Sequence, residues 1–543
     1  NVMPNLSSLQ QGAYDKIEKY FGQGKVTLLY GVTSSGKTEV YLHLMKKIIK
    51  QGKQVLYLLP EIALTAQLVS RLTKIFGTKV GVYHSKFSDA QRVEIYQSLL
   101  NSNEVSIILG VRSSIFLPFT NLGLIIVDEE HENTYKQQDP APRYHARDTA
   151  IVMAAKYGAN ILLGSATPSV ESYYNAMEGK YGLVTMSERY GNAMLPEIKL
   201  VNVKEQRRKP NVGYFSPLLI EEIRQALEQR EQVILFHNRR GFSPYIECKE
   251  CGWIPQCEHC NVSLTYHKKG NRLVCHYCGY TISMPHSCLA CGSGELVTRG
   301  MGTQKVEEEL EILFPDIAIE RMDLDTTRTR SAYERIIADF ENRSIQILIG
   351  TQMVTKGLDF DNVSLVGVLN ADAMLAYPDF RSAERSFQLI LQVAGRAGRR
   401  DKQGMVLVQT VAPLHPILQE VMQNDYVGMY QRQVEERNLF RYPPFVRLIK
   451  ITLRHKDENI LYEASTFLDQ RLKSIFGENV KGPEIPVINR IQNRYLVSFL
   501  LKIERNTSAN RSKQLLMRCF NEVLQMPEFR QLSITPDVDP MQP

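Results

Sequence analysis

The sequence predicts an α/β protein with two lobes, each built around a parallel sheet, and a small α+β domain at the carboxyl end. Three observations lead to this prediction. A phosphate-binding motif joins a strand-like run to a helix-like run near the amino end, a second series of strands with polar motifs follows residue 232, and eight cysteines between 248 and 291 interrupt that series. A chain of 543 residues is too long for one core, so three to five domains are expected.

Composition restricts the class of protein before any motif is considered. Hydrophobic residues make up 43% of the chain and charged residues 23%, which is typical of a soluble globular protein. No apolar run reaches membrane-spanning length and no signal peptide is recognisable. The net charge of +7 is compatible with nucleic-acid binding. The chain begins with Asn1, which favours a processed or truncated amino terminus.

The strongest motif lies at residues 31–38 and fits G-x-x-x-x-G-K-[ST] without a mismatch. A strand-like run precedes it and a helix-like run, 39–50, follows it, which is the context that a phosphate-binding loop requires. Lys37 is expected to contact the β- and γ-phosphates of ATP, and Thr38 to ligate Mg²⁺. A chance glycine-rich turn is the alternative. The predicted nucleotide-binding residues of this loop are Gly31, Val32, Thr33, Ser34, Ser35, Gly36, Lys37 and Thr38.

Acidic residues follow the buried strand pattern at 122–127. Asp128 is expected to hold Mg²⁺, because a carboxylate at the end of such a strand does so in phosphate-loop enzymes. Glu129 is expected to orient and deprotonate the attacking water. The alternative, an acidic helix start favoured by the helix dipole, applies best to Glu130. Two more strand-like runs end in polar motifs, at 60–67 and at 164–168.

The second lobe repeats this arrangement and ends in a basic motif. Its strand-like runs lead into polar segments at 238–241 and 351–360, and the sequence Q-V-A-G-R-A-G-R follows at 392–399. Arg396 and Arg399 are three residues apart, so one helix face would point both at a triphosphate. An arginine in that position stabilises charge in the transition state. A solvated basic helix is the alternative.

The order and spacing of these motifs resemble those of superfamily-2 helicases and translocases. The resemblance implies two RecA-like lobes that share one ATP, with a cleft that closes on binding and opens on hydrolysis. It also implies that Gln10, about twenty residues before the phosphate loop, reads the edge of the adenine. A solvated glutamine on an amino-terminal helix is the alternative.

The clustered cysteines predict metal sites, since C-x-x-C pairs without a secretion signal indicate metal ligation before disulfides. Eight thiolates make two Cys₄ sites and therefore two structural Zn²⁺ ions, with iron–sulfur ligation as the main alternative. The spacing leaves open which pairs combine. Four nearby histidines, His259, His267, His276 and His286, are predicted bystanders. The pairs are Cys248/Cys251, Cys257/Cys260, Cys275/Cys278 and Cys288/Cys291.

Zinc ribbons in the second lobe, combined with D-E-E-H in the first, resemble the PriA family of replication-restart helicases, also called primosomal protein N′. Further matching segments are Y-K-Q-Q at 135–138, R-Y-H-A-R-D at 143–148, G-M-G-T-Q at 300–304 and D-V-D-P at 537–540. The resemblance covers essentially the whole chain. The family's amino-terminal DNA-binding region, with its 3′-end pocket and winged helix, has no counterpart here.

This resemblance implies a 3′→5′ DNA helicase that remodels stalled or abandoned forks and loads the replicative helicase. The implied partners are DNA forks and single strands, single-stranded DNA-binding protein, and primosome and helicase-loader proteins. It further implies a monomer in the bacterial cytoplasm, associated with the nucleoid and with no membrane contact. Its zinc pairing is nested: Cys248, Cys251, Cys288 and Cys291 on one ion, and Cys257, Cys260, Cys275 and Cys278 on the other.

Two regions are candidates for contacts with DNA. The loop at 135–148 offers aromatic rings that can stack on bases and cations that can bind phosphates, and in the family such a loop couples DNA to ATP hydrolysis. An ordinary exposed loop is the alternative. The carboxyl-terminal domain carries seven basic residues and one acidic residue between 490 and 518, which suits DNA or single-stranded DNA-binding protein, or else a solvated face. The predicted coupling residues of the loop are Tyr135, Lys136, Arg143, Tyr144 and Arg147.

The predicted domains follow from these motifs. The first ATP-binding lobe covers 1–186, and a linker with the start of the second lobe covers 187–243, of which 187–212 is expected to be a mobile connector. The zinc insertion covers 244–298, the rest of the second lobe 299–435, and the α+β domain 436–543. Two alternative functions stay open: a duplex DNA translocase or branch remodeller, and a zinc-dependent helicase-loading scaffold with a dispensable ATPase.

Overall fold

The first lobe is a seven-stranded parallel sheet in the order β3-β4-β2-β5-β6-β1-β7. The computed structural model describes residues 3–61, 66–84, 87–101, 104–188, 194–208, 213–238, 244–268, 270–299, 306–322, 329–351, 360–398, 402–486 and 489–542. The strands are β1 (Thr27–Gly31), β2 (Gln54–Leu58), β3 (Val80–Tyr83), β4 (Ile107–Gly110), β5 (Leu122–Asp128), β6 (Asn160–Ser165) and β7 (Gly182–Met186). The helices are α1 (Ser8–Gly22), α2 (Lys37–Lys50), α3 (Ala66–Phe76), α4 (Asp89–Asn101), α5 (Ala146–Tyr157) and α6 (Val170–Met177).

Local sequence accounts for these elements. The apolar run of β2 is buried along its whole length, as expected of a central strand covered on both faces. Helix α1 begins after Ser7, whose side chain and that of Gln10 form a reciprocal capping box. The strands that precede the phosphate loop and the acidic motif are neighbours of β6 on either side. Their carboxyl ends therefore meet at one edge of the sheet, where ligands bind in such folds.

The second lobe is a six-stranded parallel sheet in the order β15-β16-β9-β17-β18-β8. Its strands are β8 (Glu197–Asn202), β9 (Gln232–Phe236), β15 (Ile319–Met322), β16 (Ile347–Gly350), β17 (Val363–Val368) and β18 (Met405–Thr410). Its helices are α7 (Lys204–Arg208), α8 (Pro217–Glu228), α9 (Val306–Leu313), α10 (Arg330–Glu341), α11 (Ala371–Leu375), α12 (Ser382–Ala394), α13 (Pro416–Met422) and α14 (Tyr426–Leu439).

The cysteine-rich insertion and the carboxyl-terminal domain are antiparallel. The insertion contains β10 (Tyr245–Cys248), β11 (Thr265–His267), β12 (Arg272–Val274), β13 (Thr281–Ser283) and β14 (Leu296–Arg299). In the terminal domain, helices α15 (Glu458–Phe476) and α16 (Ala509–Leu524) accompany one five-stranded sheet. Its strands are β19 (Val446–His455), β20 (Val480–Glu484), β21 (Arg490–Ile491), β22 (Arg494–Glu504) and β23 (Ser533–Val538). The predicted fold class is confirmed.

The connector predicted at 187–212 is wrong in part. Residues 197–202 form β8, an edge strand that pairs with β18 over six positions from Glu197↔Met405 to Asn202↔Thr410. The prediction failed because the run E-I-K-L-V-N alternates only at its start, and a strand that depends on a partner two hundred residues away leaves little local signal. In the part of the chain that the structure describes, no helix is long and apolar enough to cross a membrane.

Candidate functional site

The loop between β1 and α2 has the backbone of a phosphate-binding concavity. Ser34 and Gly36 both take positive φ angles, 62° and 84°, which turns successive N–H groups toward one side. Lys37 opens α2, and its Nζ donates to the carbonyl oxygen of Gly31 at 2.8 Å. A Cβ at position 31 would lie 2.7 Å from Ser35 Oγ, so a larger residue there would displace the Ser35 side chain. The loop thus presents its lysine at the concavity, as the motif predicts.

Gln10 lies against this loop. Its side chain is 1% exposed, and Nε2 donates to the carbonyl oxygen of Gly36 at 3.3 Å while Oε1 accepts from the N–H of Ser7 at 2.8 Å. A solvated glutamine, the alternative reading, is therefore wrong. Contact with adenine stays a prediction, because the present partners of Gln10 belong to the cap and to the loop.

Asp128 ends β5 in a half-buried polar setting. Tyr41 donates its hydroxyl to Oδ1 at 2.9 Å, and Tyr57 donates to Oδ2 at 3.3 Å. Burial and then the charge of Glu129 raise the pKa of Asp128 to about 6, against the opposing effect of Lys37. Oxygen donors of this kind suit Mg²⁺, so Asp128 and the hydroxyl of Thr38 at the start of α2 fit the expected ion.

Glu129 and Glu130, which follow Asp128, do not begin a helix. Glu129 is half-buried with a φ of +50°, a value that an α-helix does not allow. Glu130 is fully buried, accepts from the N–H of Ser169 at 2.7 Å and forms an ion pair with Arg147 at 3.1 Å. An acidic helix start is therefore wrong for both. Glu130 thus holds the segment that follows β6 through its hydrogen bond with Ser169. The sequence did not predict this contact.

A chain of hydrogen bonds joins the acidic motif to the second lobe. His131 Nδ1 lies 2.7 Å from Ser165 Oγ, and that oxygen accepts from the N–H of Thr167 at 2.9 Å. On its other side, His131 Nε2 is hydrogen-bonded to the side-chain amide of Gln392 on α12. A Cβ at Gly395 would lie 2.8 Å from the side chain of Thr33. The basic motif of the second lobe therefore sits directly against the phosphate loop of the first.

The helix-face position predicted for Arg396 is wrong. Helix α12 ends at Ala394. The N–H groups of Arg396 and Ala397 then donate to carbonyl oxygens only three residues back, those of Val393 and Ala394. The chain then turns at Gly398, whose φ is +110°. Because the helix stops there, Arg396 follows it in a turn rather than on a helix face. Arg399 lies outside the described residues, and the role of both arginines stays a prediction.

The loop at 135–148 contradicts the contacts expected of two of its residues. Tyr135 is 1% exposed, and its hydroxyl lies 2.5 Å from the carbonyl oxygen of Asp128. Lys136 is 2% exposed, and its Nζ binds the carbonyl oxygens of Arg143 and Val538 and pairs with Asp537 at 2.9 Å. Neither can stack on a base or bind a phosphate in this conformation, because each side chain is used inside the protein.

The other loop residues are less enclosed. Arg143 lies 3.7 Å from the exposed Asp139, and Tyr144 is half-buried, with its ring 4.7 Å edge-to-face from Phe116. Arg147 pairs with Glu130 and with Asp148. DNA coupling by these residues stays a prediction, and Tyr144 and Arg143 have the more accessible positions.

The eight cysteines form two separate clusters. Sulfur atoms lie 3.7 Å apart for Cys248 and Cys291, and 3.6 Å apart for Cys257 and Cys278. A tetrahedral ion with 2.3 Å bonds to sulfur has sulfur–sulfur edges of about 3.8 Å, so both clusters fit Zn²⁺. The four histidines belong to neither cluster. The nested pairing is confirmed: Cys248, Cys251, Cys288 and Cys291 in one, Cys257, Cys260, Cys275 and Cys278 in the other.

Sequence reasoning missed an ion cluster between the lobes. Glu171 on α6 pairs with Arg381 at 2.8 Å and with Arg437 at 3.5 Å, and Arg437 pairs with Glu384 at 2.6 Å. Arg437 is 1% exposed. No local pattern could have indicated it, because Glu171 and Arg381 are 210 residues apart and meet only when the lobes dock.

Family models match consecutive parts of the chain. They are the DEAD/DEAH box helicase at 7–176, the PriA DNA helicase Cys-rich region domain at 257–282, the helicase conserved C-terminal domain at 300–401 and the primosomal protein N C-terminal domain at 438–541. The chain is 41% identical over 539 residues to the replication restart protein PriA of Bacillus subtilis, covering 98% of this chain and 66% of that protein. The chain is 43% identical over 547 residues to PriA of Haemophilus influenzae, covering 99% of this chain and 73% of that protein.

Proposed function

The chain belongs to the PriA family of DEAD-box-type replication restart helicases, and from that premise we propose that it is an ATP-driven 3′→5′ DNA helicase. Its proposed role is to recognise and remodel stalled or abandoned replication forks and to initiate primosome assembly. The observation that carries the proposal is the contact of the second lobe with two motifs of the first. Gln392 binds His131 of the acidic motif, and Gly395 lies beside Thr33 of the phosphate loop. One ATP at that place would join two lobes that move against each other.

Each residue of the site has a defined task in this proposal. Lys37 would leave the carbonyl of Gly31 and bind the phosphates, while Thr38 and Asp128 would hold Mg²⁺. The ion neutralises charge on the β- and γ-phosphates when bound. Glu129 would orient and deprotonate the water. Arg396 and Arg399, reaching from the second lobe, would stabilise the transferred phosphoryl group.

The same contacts would provide a route for communicating the state of the nucleotide. His131 binds Ser165 and Gln392 at once, so hydrolysis near Glu129 would alter the hold of the first lobe on α12. If each lobe binds a DNA strand, repeated closure and opening become stepping. Tyr144 and Arg143 would contact DNA near this route, and the basic face of the carboxyl-terminal domain would bind DNA or single-stranded DNA-binding protein.

Two zinc ions would complete the cysteine clusters as structural centres. Each cluster already supplies four thiolates, which leaves no open position for catalysis. The second cluster packs into a core that includes Tyr442, Leu448 and Leu500 of the region after α14. Zinc would therefore fix the orientation of the carboxyl-terminal domain. Primosome and helicase-loader proteins are the proposed partners, in the cytoplasm of a bacterium beside its nucleoid.

Unwinding of a forked DNA by the Lys37→Ala variant tests this proposal. Lys37 is the only side chain changed at the phosphate loop, and Lys50→Ala at the other end of α2 is the matched control. We expect unwinding to stop in Lys37→Ala and to continue in Lys50→Ala. A duplex translocase would instead move on DNA without separating its strands. Normal fork unwinding by Lys37→Ala would favour the scaffold with a dispensable ATPase and would exclude the motor.

A further inference from the structure

Three buried tyrosines from three different elements converge on Asp128. Tyr41 on α2 and Tyr57 on β2 donate to the two carboxylate oxygens, at 2.9 and 3.3 Å. The hydroxyl of Tyr135 lies 2.5 Å from the carbonyl oxygen of the same residue. All three side chains are at most 1% exposed. The carboxylate is thus held by phenol groups, and its main chain is held as well.

Phenol donors leave the carboxylate free to bind a cation. A carboxylate has about four lone-pair sites on its two oxygens, and one donated hydrogen bond on each oxygen leaves acceptor capacity on both. An arginine or lysine partner would neutralise the charge and compete with a metal ion, whereas a phenol does neither. The hydroxyls also offset part of the cost of burying the charge. This arrangement orients the Asp128 carboxylate and leaves lone pairs on both of its oxygens free to bind a metal ion.

The position of Tyr41 depends on a glycine in the neighbouring strand. Gly164 on β6 lies opposite Asp128 in the parallel register. A Cβ at position 164 would lie 1.9 Å from the hydroxyl oxygen of Tyr41 and 3.2 Å from Asp128 Oδ1. The ring of Tyr41 in turn stacks edge-on against Tyr57, with centroids 5.7 Å apart. The absent side chain at 164 therefore makes the room in which the hydroxyl reaches the carboxylate.

We propose that Tyr41 and Tyr57 are positioning residues of the ATPase reaction, which hold the Asp128 carboxylate in the orientation that takes the Mg²⁺ of bound nucleotide. The inference rests on the proposed function, since it concerns the same site. Tyr41 lies three residues after Thr38 on α2, so it also couples the phosphate-binding helix to the metal carboxylate. Neither tyrosine touches substrate, and both act through Asp128.

The test is the effect of Mg²⁺ on ADP binding, measured by titration calorimetry with and without the ion. Tyr41→Phe and Tyr57→Phe each remove one hydroxyl oxygen. Tyr442→Phe is the matched control, because its buried hydroxyl donates to the carbonyl oxygen of Cys260 instead. We expect Mg²⁺ to strengthen ADP binding about tenfold less in the first two variants than in the wild type, the size of a lost hydrogen bond to a charged group. ADP binding without Mg²⁺ should stay unchanged.

A merely structural role would weaken ADP binding equally with and without Mg²⁺, or would weaken it equally in Tyr442→Phe, and either result would overturn the inference. An unchanged Mg²⁺ effect in both tyrosine variants would overturn it while leaving the proposed function in place. A wild-type protein that binds no ADP with Mg²⁺ would overturn both.

A second variant reaches the same contact from the other side. Gly164→Ala should displace the hydroxyl of Tyr41 and reduce the Mg²⁺ effect by a similar factor. The double variant Tyr41→Phe/Gly164→Ala should lose no more of the Mg²⁺ effect than either single variant, because both substitutions remove the same hydrogen bond. Losses that multiply would show that the two residues act independently and would contradict the proposed contact. Thermal unfolding of each variant checks that the fold is retained.

Discussion

The carboxylate of Glu171, on the first lobe, forms ion pairs with Arg381 and Arg437 of the second lobe. Burial alone would raise its pKa, but Arg381 and Arg437 lower the pKa of Glu171 to about 2. A carboxylate with a depressed folded-state pKa stabilises the folded protein above its unfolded pKa, and that contribution is lost as the pH falls toward the folded value. Between pH 5.5 and 8 the contribution of Glu171 should therefore be complete and constant.

The Glu171→Gln variant tests this charge. It removes the carboxylate that pairs with Arg381, while Arg437 keeps Glu384, and the loss of this charged hydrogen bond should cost about 2 kcal/mol. We expect a lower melting temperature by differential scanning fluorimetry, with the same deficit at pH 5.5 and pH 8. Glu463→Gln, on the exposed face of α15, is the control and should melt like the wild type. A deficit that disappears toward pH 5.5 would mean that Glu171 is not ionised in the fold.

At the scale of single residues, the sequence indicated possible roles but not the surroundings of a side chain. Lys37 and Asp128 could be singled out because a fixed motif and a strand end define them, and their roles stay predictions. Tyr135 and Lys136 were misjudged, because an aromatic and a cation in a loop give no sign of burial. Tyr41 and Tyr57 were missed, since a tyrosine in an apolar run is equally consistent with a plain core position.

Among the elements, the two cysteine clusters differ in what surrounds them. Cys260 is 1% exposed and its carbonyl oxygen accepts from Tyr442 at 2.6 Å, and the aromatic ring of Tyr442 stacks on Phe380 of the second lobe. Cys291, in the other cluster, is exposed. The cluster of Cys260 is therefore part of an interdomain core, while the cluster of Cys291 reaches the surface of the protein.

Substitution of one ligand in each cluster tests this difference. Cys260→Ser and Cys291→Ser should each lose about one of two zinc ions, measured by mass spectrometry of the metal. Cys260→Ser should in addition lower the melting temperature more and expose the carboxyl-terminal domain to limited proteolysis, because Tyr442 loses its ordered support. Equal destabilisation by the two variants would show that the clusters contribute alike.

An element was predicted well where its own residues define it and poorly where a distant partner does. The central strand β5 was predicted to within one residue, because a strand buried on both faces is a continuous apolar run. The edge strand β8 was taken for a connector, since it alternates weakly and depends on β18. The end of α12 was misplaced because its final turn is set by Gly395 and Gly398, not by a change in hydrophobic pattern.

In the whole molecule, the last residues of the chain bridge the two lobes. Asp537 and the carbonyl of Val538 bind Lys136 of the first lobe. Farther along, the carbonyl of Met541 accepts from Arg385 of the second lobe. The segment 537–541 thus stabilises the arrangement in which the basic motif meets the phosphate loop. No local pattern indicated this docking, because each contact joins residues from distant parts of the chain.

The Asp537→Asn variant tests the bridge. It removes the carboxylate that pairs with the Lys136 ammonium, which is 1% exposed, and should cost about 2 kcal/mol, the size of a lost hydrogen bond to a charged group. We expect a lower melting temperature and a larger radius of gyration by small-angle X-ray scattering, since the lobes separate more often. Glu522→Gln, which removes only the exposed pair with Arg471, is the control. An unchanged radius of gyration would show that other contacts suffice to hold the lobes.

The central claim is that the two lobes form one ATPase that DNA controls. Its most direct test is the rate of ATP hydrolysis without DNA, with single strands, with duplex and with a gapped fork, for the wild type and Lys37→Ala. We predict strong stimulation by single strands and by forks, and no hydrolysis above background in Lys37→Ala under any condition. Rapid hydrolysis that no DNA changes, or that persists in Lys37→Ala, would contradict the claim.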